Sequence, residues 1–504
     1  MGLQVMFYIF IIASIIAFGY GIYRAVKLVK NPLNEIDYDK EMKNFLIIGG
    51  IFVVSFTLAM LGAYGFIKES PKAYEYVLGL SGAFFLSLFV YVFFISFIVH
   101  YYRKGLPIKL DKILFISMLV SIPFIMIFFF IFTDGYAAYW TYPLVNGINF
   151  DSGFVSPDSS VSPNIAWYAL CILGGALFVY FLCDHKMYIQ YGKHGLFEST
   201  FLVAFPAGIL GARLFYVIGN WNLEFANQPF WHVFAFWEGG LTILGGAISG
   251  IVIGVLWFIW RNRGYSIWVA IDVVVPTILL AQAIGRWGNF FNCEVHGVAV
   301  STSMFSWLPT VIVNNLHYSS VAPSLGPDQV YVPLFLIEGA LNVAGYFLIA
   351  ELFGRKLRKY TELGDLGLAY IIIYGLNRAL LEPLRYSGYN MGDNGYWSWI
   401  WSCCFIAIGL LLIVINHLVR WFIRKRKGQI VPKENWKKNS IIVTLSIALV
   451  AVIFVTSGII LMANSYIPTS LTFTPFLGGT ILLVSGIGTL FLTAIPLLYY
   501  FEAR

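Results

Sequence analysis

The stretch ILFISMLVSIPFIMIFFFIF, residues 113–132, carries no charged side chain along its whole length. As a helix rising ~1.5 Å per residue it is long enough to cross a hydrocarbon core of ~30 Å. Residues 45–66 and 76–99 read the same way. The whole chain of 504 residues is 59% hydrophobic and only 11% charged, where a soluble globular chain would be about 25% charged. Its mean hydropathy of +0.78 agrees. The expected fold class is therefore all-α, a polytopic transmembrane helical bundle. About thirteen spans are predicted, near 3–23, 44–67, 77–99, 113–133, 164–182, 199–218, 239–260, 268–290, 333–353, 366–385, 397–419, 440–463 and 476–499. The first opens without basic residues or a clear small-residue cleavage site, so it reads as a retained span rather than a signal peptide.

The net charge of +7 points to no nucleic-acid partner, because basic residues of polytopic proteins collect in cytoplasmic loops. The loops here alternate accordingly. One set holds Arg24, Lys27 and Lys30; Arg103, Lys104, Lys109 and Lys112; Lys186 and Lys193; Arg261 and Arg263; Arg355 to Lys359; and the basic stretch 420–438. The other set, 134–163, 219–236, 291–332, 386–396 and 464–475, contains no Lys or Arg, and only 68–76 is mixed. The N-terminus is thus expected outside, the C-terminus in the cytoplasm, and the long polar loops on the outer side. Pro, Ser, Asn and Gly cluster in 143–164 and 319–333, which reads as loop. The first cluster and the basic linker 420–439 suggest an N-terminal block over 1–140, a core over 164–423 and a C-terminal pair of spans over 440–504. No internal repeat of the kind found in transporters is evident. The five cysteines, at 171, 183, 293, 403 and 404, form no CxxC motif and imply neither metal nor disulfide; no cofactor is expected.

Ionisable groups inside a span are costly and mark function by default. Two spans carry them away from the basic loops. The span from 268 runs outward into IGRWGNFFNCEVHG (284–297), so Arg286 falls ~27 Å from the inner end, with Asn289 on the same face if the helix continues and Glu294 and His296 at its exit. The span from Asp365 contains YGLNRALLEPLR (374–385). There Tyr374, Arg378 and Glu382 recur every four residues, and Arg385 follows three later, making one polar stripe on an apolar helix that Pro383 should kink or end. Guanidinium forks match phosphate oxygens, and two arginines toward one leaflet suit an anionic lipid headgroup. Each arginine alone would equally fit snorkelling to the interface, or a helix-holding ion pair with Glu382 or Glu294. Gly208, Gly211 and the glycines between 239 and 254 read first as close helix packing.

These residues resemble a known family. Residues 164–423 are similar to the prolipoprotein diacylglyceryl transferases, bacterial plasma-membrane enzymes with a seven-span core. GRWGNFFNCEVHG (285–297) matches the family signature, and supporting elements follow in order: Trp167 and Tyr168, GARLFYV (211–217), WEGGLTILGG (237–246), Pro333 with Phe335, Leu336, Glu338 and Asn342, and YGLNRALLEPLR. Two positions depart. Leu244 stands where the family has a His before its paired glycines, often the assigned general base, and Val332 stands where it has a His before Pro333. The resemblance implies transfer of a diacylglyceryl group from phosphatidylglycerol to the lipobox cysteine of a preprolipoprotein signal peptide, giving a thioether and releasing glycerol phosphate near the outer leaflet. Arg286 and Arg378 would be catalytic. Tyr168, Asn289, Glu294, Gly297, Tyr374, Glu382 and Arg385 would bind substrates, Glu382 by orienting Arg378. Glu294, Glu238 and His296 are candidate replacements for the missing base. Two other readings remain open at this level: a binding scaffold that lost its chemistry with the histidine, and a transporter of anionic lipid.

Overall fold

A computed structural model describes residues 2–31, 37–63, 73–103, 105–136, 147–149, 164–226, 229–234, 240, 242–389, 396–428, 440–465 and 474–497. The helices, numbered in chain order, are α1 (Gly2–Lys30), α2 (Tyr38–Ala63), α3 (Ala73–Tyr102), α4 (Ile108–Tyr136), α5 (Trp167–Tyr191), α6 (Glu198–Gly219), α7 (Ile243–Arg261), α8 (Ile267–Phe291), α9 (Thr310–Asn315), α10 (Leu334–Phe347), α11 (Asp365–Leu381), α12 (Tyr396–Arg426), α13 (Ser440–Ala463) and α14 (Pro475–Leu492). The protein is thus an all-α, multi-pass membrane protein. Where about thirteen spans are expected, eleven helices among the described residues are long and apolar enough to cross a bilayer. The two others expected are α7, whose apolar part Gly245–Arg261 is shorter, and α11, which ends after 17 residues where Pro383 enforces a tighter 3-10 turn over Glu382–Leu384.

Two units divide the chain, Met1–Leu182 and Cys183–Arg504, the boundary falling within α5. In the first unit, α1, α2 and α3 converge on Tyr91, whose hydroxyl donates to the Phe45 carbonyl at 3.0 Å. Gly21 and Gly49 flank that ring so closely that a Cβ on either would come within 2.8 Å of it, the close backbone approach that small residues permit. Buried Arg103 donates to the carbonyls of Leu28, Val29 and Asn31, satisfying acceptors that the end of α1 leaves open. Two short strands, β1 (Gly147–Asn149) and β2 (Asn164–Ala166), pair antiparallel before α5.

In the second unit, α6 and α7 form a hairpin, α8 packs on α10 and α11, and α12 joins α11 to the α13–α14 pair. Gly375 of α11 lies against the Ser402 carbonyl of α12, where a Cβ would stand at 2.7 Å. The span begun by α10 continues as a π-helical segment, Leu348–Lys356. Much of what reads as loop between α8 and α10 is folded. Strands β3 (Ala299–Ser301) and β4 (Gln329–Tyr331) pair antiparallel, with α9 between them. The Asn315 amide of α9 donates to the Phe290 carbonyl at 2.9 Å, and the Ser320 amide donates to the Cys293 carbonyl. The end of α8 is therefore capped by this folded insertion.

Candidate functional site

The helix carrying Arg286 does continue, as far as Phe291, and this puts Asn289 one turn above it. The Arg286 guanidinium donates from Nη1 to Asn289 Oδ1 at 3.3 Å and from Nη2 to Glu338 Oε1 at 2.6 Å. Beyond α8 the backbone turns sharply: Cys293 and Val295 both adopt positive φ, 48° and 54°, a region costly for non-glycine residues and above all for β-branched Val. That turn folds Glu294 back, so its Oε1 accepts from Asn289 Nδ2 at 2.9 Å and Asn292 Nδ2 at 3.3 Å. Asn289 thus bridges Arg286 and Glu294.

On α11, Arg378 Nη2 lies 2.8 Å from Glu382 Oε2 and donates to Ser398 Oγ of α12 at 3.1 Å. Arg385 Nε reaches the same Glu382 oxygen at 3.5 Å. Glu382 is 1% exposed, and Arg385 is buried as well. The packing of α10 and α11 on α8 and the backbone bridge between Gly297 and Arg385 gather these three arginines and their glutamates at one end of the three helices. Formally the three positive charges of the cluster are balanced by Glu338, Glu382 and, through Asn289, Glu294. Next to it, Asn377 Nδ2 donates to Asn342 Oδ1 at 3.0 Å, and Gln282 Nε2 donates to the Tyr370 hydroxyl at 3.0 Å.

Backbone bonds lock the end of α8, the start of α10 and the end of α11 together. Gly297 forms an antiparallel bridge with Arg385. The Gly297 amide donates to the Val332 carbonyl, the Val298 amide to the Leu384 carbonyl, and the Tyr386 amide to the His296 carbonyl. A Cβ at position 297 would stand 2.7 Å from both the Leu384 carbonyl oxygen and Val332 Cβ. Gly297 therefore has a packing reason for being glycine, whatever else it does. His296 is buried beside Tyr331, Tyr386 and Tyr389, and its Nε2 lies 2.5 Å from Ser319 Oγ. Burial lowers its pKa from the ordinary histidine value, against a weaker opposing effect of the bond to the Gly297 carbonyl.

Most residues singled out from the sequence meet here: Arg286, Asn289, Glu294, Gly297, Arg378, Glu382 and Arg385. Tyr374 is on α11 with its ring near Phe405 and Tyr370. Tyr168 is half-buried in the first turn of α5, in the first unit. Trp237 and Glu238 lie outside the described residues, as does the side chain of Leu244. One expectation changes. Glu294 holds Asn289 and Asn292, whereas the ion-pair partner of Arg286 is Glu338, 52 residues away. The available signal was a lone carboxylate within the apolar run PLFLIEGALN (333–342).

A family model described as prolipoprotein diacylglyceryl transferase matches residues 160–415. Three relatives carry the name phosphatidylglycerol–prolipoprotein diacylglyceryl transferase. That of Malacoplasma penetrans is 33% identical over 281 residues, covering 51% of this chain and 76% of the relative. That of Streptococcus suis is 33% identical over 259 residues, covering 50% and 88%. That of Clostridium novyi is 34% identical over 254 residues, covering 50% and 92%.

Proposed function

Because this chain belongs to the prolipoprotein diacylglyceryl transferase family, we propose that it moves the diacylglyceryl group of phosphatidylglycerol onto the lipobox cysteine of a preprolipoprotein. The observation that carries the reading is the gathering of Arg286, Arg378 and Arg385, held by Glu338 and Glu382 with Glu294 joined through Asn289. In the reaction, the cysteine sulfur attacks the glycerol carbon that bears the phosphate ester. The S–C bond forms as the C–O bond breaks, and the leaving oxygen departs with glycerol phosphate.

The chemistry needs stabilised negative charge on the leaving phosphate and a thiolate. Each guanidinium has five N–H donors, and the bonds to Glu338, Asn289, Glu382 and Ser398 leave donors of Arg286 and Arg378 for phosphate oxygens. Fixed cations in a poorly solvated place stabilise developing charge at little reorganisation cost. Glu338 and Glu382 hold them in place, and Arg385 adds a third positive charge. A free thiol has a pKa of ~8.5, so a few per cent is ionised near neutrality, and neighbouring cations lower that value. A dedicated base is then worth only about 10- to 100-fold. Glu294, tied to the Arg286 group through Asn289, and His296 behind it are the carboxylate and imidazole best placed to take the proton. Tyr168, Gly297 and Tyr374 complete the set of substrate-binding positions.

Basic residues close α1, α7 and α12, which supports cytoplasmic ends for these helices, an external N-terminus, a cytoplasmic C-terminus and a reaction near the outer leaflet. The core over 164–423 would carry the chemistry, with 1–140 and 440–504 as additions to it. Incubating purified protein with phosphatidylglycerol and a lipobox peptide, followed by mass spectrometry, should give the diacylglyceryl thioether with the wild type and not with Arg286→Ala. Absence of product from the wild type, under conditions where a family enzyme is active, would overturn the reading.

A further inference from the structure

At the end of α8 opposite Arg286 there is a second polar concavity. A cavity of about 450 Å³ opens between the α5–α6 and α7–α8 connections. Its walls are tied by the Asn262 amide, which donates to the Leu196 carbonyl at 3.1 Å, and by an edge contact of Tyr191 with Tyr265. Lys193, Arg261 and Arg263 line it. All three are exposed. Glu198 lines it too, leaving two formal positive charges in excess.

The same cavity receives the start of α6. The preceding residue, Phe197, provides no side-chain cap, and Ser199 in the first turn lines the cavity. The Glu198 amide already donates to the Gly195 carbonyl, and the first-turn amides that follow it attract anions. The cavity also sits where apolar helices end: α7 finishes at Arg261 beside exposed Trp260, and α8 begins beside exposed Trp268. Aromatic side chains at helix ends mark the headgroup level of a bilayer. A cavity at that depth with surplus cations, an open helix start and mostly polar walls suits a phosphate bearing a small polar substituent.

We infer that this cavity binds a phosphate ester, either the headgroup of an anionic phospholipid in the leaflet opposite the reaction or a soluble ester of the same chemistry. It is separate from the Arg286 cluster, which lies roughly 28 Å farther along α8 at ~1.5 Å per residue.

The test is native mass spectrometry of the full-length protein in detergent micelles, without peptide acceptor. Phosphatidylglycerol, phosphatidylcholine and glycerol phosphate are titrated in turn. Wild type is compared with K193Q/R261Q/R263Q and, independently, with Ser199→Glu, which sets a negative charge at the mouth of α6. Lys193, Arg261 and Arg263 are exposed and Ser199 is half-buried, and thermal unfolding checks that both variants are folded. In both, one phosphatidylglycerol should weaken by at least about tenfold, with phosphatidylcholine unaffected. A second phosphatidylglycerol should persist and be lost only in Arg286→Ala, so failure here and failure of the transferase reading give different patterns. Selective loss of glycerol phosphate instead of lipid would identify the soluble ester as the ligand. Unchanged binding of both ligands in both variants would overturn the inference.

Discussion

Arg286 Nη2 donates to Glu338 Oε1 at 2.6 Å, joining α8 to α10 through side chains that are 22% and 6% exposed. The pair neutralises a cation where water is scarce while leaving other guanidinium donors free. Arg286→Ala should lower turnover by about 10²- to 10³-fold, the loss typical of one fixed donor at a developing anion. Arg286→Lys should recover little of it, because an ammonium cannot replace the fork that reaches Glu338 and Asn289 together. Steady-state transfer of diacylglyceryl to a lipobox peptide measures both.

Glu338→Gln removes the carboxylate and strands the arginine. Unfolding in detergent should show a loss of about 1–3 kcal/mol, and the double variant E338Q/R286Q should lose less than the two single losses added together. Strict additivity would mean that the pair is not coupled.

Glu382 stands between Arg378 and Arg385 and is 1% exposed. Glu382→Gln leaves buried Arg385 and half-buried Arg378 facing each other, at a cost of about 3–5 kcal/mol. Phosphatidylglycerol should raise the melting temperature of this variant more than that of wild type, because a bound phosphate replaces the missing charge. An equal rise in the two would contradict the cluster as a phosphate site.

His296 gives a pH signature. Its folded-state pKa lies below the ordinary ~6.5, so below that pH the unfolded chain binds the extra proton first. Stability contributed by neutral His296 is complete above pH ~6.5 and is lost as pH falls from there through the folded-state value. Melting temperature followed downward from pH 7 should fall more steeply in wild type than in His296→Gln.

Gly297→Ala should destabilise by about 1–3 kcal/mol through overpacking against the Leu384 carbonyl and Val332. Activity should fall with it, since the bridge to Arg385 passes through this residue. Unchanged melting and activity would show that the bridge can shift to admit a methyl group.

The all-α membrane class, the polar stripe of α11 and the Arg286–Asn289 face were legible in the sequence because they follow from composition and from local spacing on one helix. Glu338 as the partner of Arg286 was not, because no spacing rule connects residues on different spans. The folded insertion between α8 and α10 was hidden for another reason: β3 and β4 have three residues each, too few to show alternation. α11 stops four residues short of the expected 385, and the polar stripe at Glu382 and Arg385 continues past its end on a 3-10 turn and an extended residue.

Val332 shows what the backbone bonding at the mouth of the site allows. Its amide donates to the Val298 carbonyl and its own carbonyl accepts from Gly297, while its side chain is buried against that glycine. The tasks that fix the register of Gly297 and Arg385 are thus performed by atoms common to nearly every amino acid. A change of letter at 332 is tolerable where a change of length is not: one residue inserted between Pro333 and Glu338, or between Arg378 and Arg385, would rotate a charge off the cluster. Divergence in this protein's lineage is therefore expected to change the residue at 332 more readily than the count between these positions.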